Sequence, residues 1–200
     1  MYALGVMFDE GLGVEADVRR ALGWYERAAR HGHAESMNRL GILFLRGRGV
    51  PLSAEASLAW FRLAAAKGAL TASNNIALLY FYGLGVHQSY VRAAKLLRGS
   101  ANKGDADAQN KLGGMYEAGL GVARDPRRAK GLYLKAAAQG YAPAMVNLGR
   151  MLARGNGEDT RDIFPNPFAA GVPTGIQPAL LTESDIPSPD SASLPAHGTK

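Results

Sequence analysis

The chain has 200 residues, 47 % hydrophobic and 20 % charged, the composition of a soluble protein with a real core. It has no cysteine, which excludes disulfides and thiolate metal sites, and its longest apolar run, near residues 76–86, is broken by glycine and too short to span a bilayer. The formal charge of +6 is unevenly spread: residues 158–200 hold six acids and two bases, whereas residues 1–157 hold 21 bases and 11 acids.

A glycine-rich turn punctuates the chain from its start. GLGV stands at residues 11–14, 83–86 and 119–122, and its glycine pair recurs as Gly11/Gly13, Gly47/Gly49, Gly83/Gly85, Gly119/Gly121 and Gly155/Gly157, in steps of 36 residues. A phosphate loop needs a third glycine or a following Gly-Lys-Ser/Thr. The third-glycine position holds Ala16, Leu52, Gln88 and Arg124, and no Gly-Lys-Ser/Thr follows. The motif therefore reads as a repeated turn in which glycine supplies left-handed backbone angles.

Before each turn runs a helix, called A. Leu4, Leu40, Ile76, Leu112 and Leu148 share one slot, with Ser36, Ala72, Ala108 and Ala144 four residues earlier. Large apolar pairs such as Leu43/Phe44 and Met115/Tyr116 follow three and four residues later. That spacing is one buried stripe of a helix, over roughly residues 35–46 in the first complete copy. After each turn, Asp17, Ser53, Ser89 and Asp125 are N-cap residues for a second helix, B, and Pro126 fits its first position. Helix B carries Ala21, Trp24, Tyr25 and Ala28, then Ser57, Trp60, Phe61 and Ala64, and closes at Gly32, Gly68, Gly104 and Gly140. Large residues flanked by small ones read as core packing rather than an aromatic ligand box.

A pair this short cannot bury both faces alone, so the copies must stack. The predicted fold is all-α: a right-handed α-solenoid of 36-residue helix-turn-helix repeats, four A–B pairs plus a terminal helix A. The solenoid is expected over residues 1–157. Residues 158–200, with seven of the ten prolines, are expected to form a mostly disordered acidic tail. Within the tail, Ile163, Phe164 and Phe168 are expected to fold back as a cap on the last helix.

The stretches LGVMFDEGLGVEADVRRALGWYERAARHG and LGILFLRGRGVPLSAEASLAWFRLAAAKG closely resemble the Sel-one-like repeat family, a relative of the tetratricopeptide repeats. The resemblance covers residues 1 to about 157, with two departures: Ala77 replaces the helix A glycine, and Gly157-Glu158 ends the last copy without a helix B. It implies a scaffold for signalling, envelope regulation or complex assembly, often bacterial, with helix A lining a concave wall. The start, MYALGVMFDEGLG, has no basic n-region and no cleavage site. The chain as written is thus expected to be cytoplasmic, or periplasmic if its true N-terminus lies upstream.

Catalytic signatures are absent from the sequence. His31 and His33 flank a helix C-cap in slots that elsewhere hold Lys67, Lys103, Gln139, Ala69, Asp105 and Tyr141, and no further metal ligands accompany them. There is no nucleophile elbow and no helical His-Glu-x-x-His. Asp105 and Asp107 open a helix, where they suit its dipole. No enzyme, cofactor or metal site is expected.

The expected site is the free face of helix A: Asn38, Arg39 and Arg46, then Asn74, Asn75 and Tyr82, then Asn110 and Lys111, then Asn147 and Arg150. Amides of this kind can donate to and accept from an extended backbone, and the cations can hold carboxylates. The function expected is a non-catalytic protein- or peptide-binding adaptor. The alternative use of the amides is bonding between repeats. A nucleic-acid-binding module is the alternative function, but Arg19, Arg20, Arg46, Arg48, Arg127 and Arg128 are scattered and lack a stacking platform.

Overall fold

The computed structural model describes residues 1–154; the expected boundary near Gly157, the tail and its capping cluster lie outside the described residues. Nine helices and no strand occur among the described residues. In order they are α1 (Tyr2–Glu10), α2 (Val18–Arg30), α3 (Ala34–Arg46), α4 (Ala54–Ala66), α5 (Leu70–Tyr82), α6 (Tyr90–Asn102), α7 (Ala106–Ala118), α8 (Pro126–Ala137) and α9 (Ala142–Arg154). The odd-numbered helices are the A helices and the even-numbered ones the B helices. Each packs on its neighbours in sequence, α1 on α2 through α8 on α9, so the array is quasi-one-dimensional.

Every expected B-helix cap forms. The side chains of Asp17, Ser53, Ser89 and Asp125 accept the backbone N–H of Arg20, Ala56, Arg92 and Arg128 at 3.0, 3.1, 3.3 and 3.0 Å. These satisfy N–H groups that a helix start otherwise leaves unpaired. The cap residues' own N–H groups reach back to Phe8, Phe44, Tyr80 and Tyr116 carbonyls at 2.8, 3.0, 2.8 and 2.9 Å, locking each loop to the helix it leaves.

The first glycine of each turn caps an A helix, with φ of 70°, 63°, 70° and 73° at Gly11, Gly47, Gly83 and Gly119. The second serves a different contact. At Gly85 (φ 65°) an added Cβ would lie 2.8 Å from the Ala54 Cβ and 3.0 Å from the Ala54 carbonyl carbon, at the start of the preceding B helix. That glycine is where one repeat's turn touches the preceding repeat's backbone.

Tyr25, Phe61, Leu97 and Tyr133 are all fully buried. Opposite the three rings stand Gly5, Gly41 and Gly113, where an added Cβ would come within 2.5, 2.5 and 2.7 Å of ring carbons. The third copy, which has Leu97 instead of a ring, has Ala77 in the glycine slot. The departure is a volume exchange inside one repeat. Of the shared leucine slot, Leu40, Ile76 and Leu112 are buried, but Leu4 is 37 % exposed and Leu148 only half-buried. At the two ends of the described array one flank of the stripe has no neighbouring repeat.

Candidate functional site

The wall residues expected from the sequence do gather on the A helices, but in two different states. Asn38, Asn74 and Asn110 are buried, at 3, 2 and 7 % exposure. Asn75 donates to the Asn38 oxygen at 2.9 Å, and Asn147 to the Asn110 oxygen at 2.7 Å, so a diagonal amide contact recurs between neighbouring repeats. Asn38 in turn donates to Glu35 at 3.2 Å, and Arg150 donates to Asn147 at 2.9 Å. The alternative use of the amides weighed from sequence, bonding between repeats, is thus present for all five asparagines.

The fifth of these, Asn74, donates to Asp105 at 2.8 Å and to Asp107 at 3.2 Å. Asp107 also accepts from Lys111 at 2.6 Å and from the Tyr141 hydroxyl at 2.8 Å, which joins side chains of α5, α7 and the residue just before α9 on one carboxylate. Burial and that carboxylate push the Tyr141 phenol above the ordinary tyrosine value. Asp105 accepts the Ala108 N–H at 2.7 Å as the N-cap of α7. The sequence reading of these acids as helix-start residues covers only that last contact.

Two further acids went unnoticed in the sequence. Asp9 and Glu117 are buried, at 9 and 7 % exposure, at equivalent positions of α1 and α7. Tyr25 donates to Asp9 at 3.3 Å and Tyr133 to Glu117 at 2.8 Å. Burial, then the neighbouring carboxylate, holds both phenols well above the ordinary tyrosine value. Arginines complete the charge balance: Arg48 lies 3.2 Å and Arg39 4.0 Å from Asp9, and Arg150 lies 3.9 Å from Glu117. The other two copies place Leu45 with Phe61 and Phe81 with Leu97 in the same slots. An acid occurs where the partner ring carries a hydroxyl, a signal that comparing this pair of positions, sixteen residues apart, across the copies could have shown.

What stays accessible on the wall is mainly cationic. The side chains of Arg39, Lys111 and Arg150 are 32, 18 and 27 % exposed, Arg46 is exposed, and Asn75, Asn147 and Tyr82 are half-buried. Arg39 also meets Glu10 at 3.5 Å and Glu35 at 4.0 Å, so it is held by three carboxylates. His33 is used locally: its Nδ1 accepts the Ser36 N–H at 3.2 Å, and its ring stacks on Tyr2 at 4.8 Å. No helix among the described residues is long and apolar enough to cross a membrane.

Comparison with known proteins agrees with this architecture. The Sel1 repeat family model matches residues 1–33, 34–68, 71–105, 106–141 and 142–164. Among solved structures, a Sel1 repeat protein from Oxalobacter formigenes is 31 % identical with a TM-score of 0.74, over 80 % of this chain and 65 % of that one. A protective antigen, c5321, from uropathogenic Escherichia coli strains, which displays the same repeat fold, is 32 % identical with a TM-score of 0.67, over 78 % of this chain and 33 % of its own. The chain therefore spans about a third of one relative's length and just under two-thirds of the other's. No curated protein matches it. With five consecutive repeat matches and the same helix pairs in space, the chain belongs to the Sel1 repeat family.

Proposed function

We propose that this chain is a scaffold whose A-helix wall, the concave one in solenoids of this kind, holds an extended segment of a protein partner. Sel1 repeats generally mediate protein interactions and are typically non-catalytic. The observation that carries the finer reading is the half-buried pair Asn75 and Asn147, each fixed by one N–H on the preceding repeat's asparagine. An amide has a second N–H and an acceptor oxygen, the complement of an extended peptide backbone. Because the side chain is already held in place, little ordering entropy is lost when it binds.

Of the ten expected residues, Asn38, Asn74 and Asn110 support the wall from beneath. Arg39, Arg46, Asn75, Tyr82, Lys111, Asn147 and Arg150 are the ones able to touch a ligand. Arg39, Lys111 and Arg150 can exchange a protein carboxylate for a ligand carboxylate, which favours a segment containing Asp or Glu.

A displayed random-peptide library panned on the full chain tests this. Enriched peptides should be acidic and should bind the Arg39→Ala, Asn75→Ala, Lys111→Ala, Asn147→Ala combination about tenfold or more weakly, provided circular dichroism shows both proteins folded. Equal affinity for both would place the ligand elsewhere.

A further inference from the structure

The B helices of the last two pairs differ from the other B helices in carrying bases with no acid among them. Helix α6 carries Arg92, Lys95 and Arg98, and α8 carries Arg127, Arg128, Lys130 and Lys135; neither has an acidic residue. All seven bases are exposed. Helices α2 and α4, by contrast, include Glu26 and Glu55. The two basic faces meet over α7, where the Arg98 and Arg128 guanidiniums lie 3.2 and 3.5 Å from one atom, the Tyr116 hydroxyl oxygen. Burial raises that phenol, but hydrogen bonds from Arg128 and Arg98 outweigh it and leave it below the ordinary value.

Asp125, the N-cap of α8, pairs with Arg128 at 3.1 Å. Among the described residues no carboxylate comes within ion-pair distance of Lys95, Arg98, Arg127, Lys130 or Lys135. A run of like charge without interleaved acids sets up a positive field that attracts anions. This face is distinct from the A-helix wall.

We infer that its occupant is the chain's own acidic segment, residues 158–200, seated in cis across α6 and α8. The charges are complementary, since that segment holds six acids against two bases. The topology is favourable as well. Short turns join each A helix to the following B helix, so every B helix begins at the end of the array where A helices stop, and α9 packs directly on α8. The chain therefore leaves Arg154 beside the start of α8, where Arg127 and Arg128 stand. Glu158, Asp159 and Asp162 follow within eight residues of Arg154. An extended chain of that length reaches about 26 Å, enough to cross a neighbouring helix. Tethering supplies an effective concentration on the order of millimolar, so a weak, multi-charge attraction suffices. The segment thereby competes with any other polyanion for this face.

Zero-length carbodiimide coupling of the full chain, read by peptide mass spectrometry, is the direct test. Links from Lys95, Lys130 or Lys135 to acids among residues 158–200 are expected, independent of protein concentration. They should fade near 1 M salt, where the screening length falls to about 3 Å. A second arm uses fluorescent poly-glutamate at low salt. The full chain carrying Glu158→Gln, Asp159→Asn, Asp162→Asn, Glu183→Gln, Asp185→Asn and Asp190→Asn should bind it about tenfold more tightly than the wild type, because the tethered competitor has been neutralised. Absence of the links, links only between copies, or equal poly-glutamate affinity of the two proteins would each overturn the proposal.

Discussion

Each glycine in a turn answers to a different force, and two substitutions separate them. Gly13 has a φ of 71° and no atom within 4 Å of an added Cβ, so Gly13→Ala isolates the cost of left-handed backbone, about 1 kcal/mol. Gly85 has a similar φ of 65° but approaches Ala54, so Gly85→Val should cost more, because the clash with backbone is added to the strain. Chemical denaturation of the two variants checks the order; equal losses would mean that the approach to Ala54 relaxes freely. ATP or GTP should leave the melting temperature of the wild type unchanged, since the turn closes on its own backbone. Tyr25 and Tyr133 lead to a pH prediction. Their phenols titrate higher in the fold than in the unfolded chain, where the value is about 10. The unfolded state therefore loses its protons first, and the stability these groups contribute is complete below about pH 10 and declines above it. Melting scans from neutral pH to about pH 11.5 should show an alkaline fall that Tyr25→Phe with Tyr133→Phe makes shallower. An unchanged slope would mean that other groups dominate the titration.

At the scale of the element, the repeats differ by coordinated exchanges. The fourth pair combines Gly113, Glu117 and Tyr133 where the third combines Ala77, Phe81 and Leu97. Gly113→Ala alone forces a methyl to within 2.7 Å of the Tyr133 ring and should cost about 1–3 kcal/mol by overpacking. Adding Glu117→Phe and Tyr133→Leu copies the third pair's solution and should recover a large part of that loss. Additive losses across the three changes would show that the slots are independent. Asp107 gathers Asn74 of α5, Lys111 of α7 and Tyr141 just before α9, so Asp107→Ala should destabilise the array by about 1–3 kcal/mol. Denaturant titration measures it, and a loss below a few tenths of a kcal/mol would reduce the hub to a solvated surface carboxylate.

Across the described array, each helix packs chiefly on its neighbours in sequence, with side-chain bonds such as Asn75 to Asn38 joining successive A helices, and local stability should follow position in the array. On the A helices, the exposed large apolar side chains lie at the two ends of the described array: Met1 at 55 % and Leu4 at 37 % beside and in α1, Met145 at 48 %, Val146 at 68 % and Leu152 at 51 % in α9, whereas Leu12, Leu52, Val91 and Leu134 are exposed in turns and B helices. Native-state hydrogen exchange should give the strongest protection in α3 through α7 and the weakest in α1 and α9. Uniform protection from end to end would indicate a single cooperative unit and contradict the nearest-neighbour picture.

The sequence alone settled the helix pairs, their 36-residue period, the B-helix caps and the repeat family, because caps, glycine turns and helical stripes are short-range patterns that five copies make redundant. It also singled out Ala77 as a departure without giving the reason, which lies in the volume of Leu97 across the packed pair. The candidate site was legible as a set of wall residues. Which of them are supports and which are accessible was not, because Asn38 and Asn75, or Asn110 and Asn147, occupy adjacent helical slots and differ only in what the next repeat brings against them. The same holds for Asp9, Glu117 and the clustering of α6 and α8 bases over Tyr116. Burial and charge pairing depend on the distance between repeats, and that distance is set only when the helices stack.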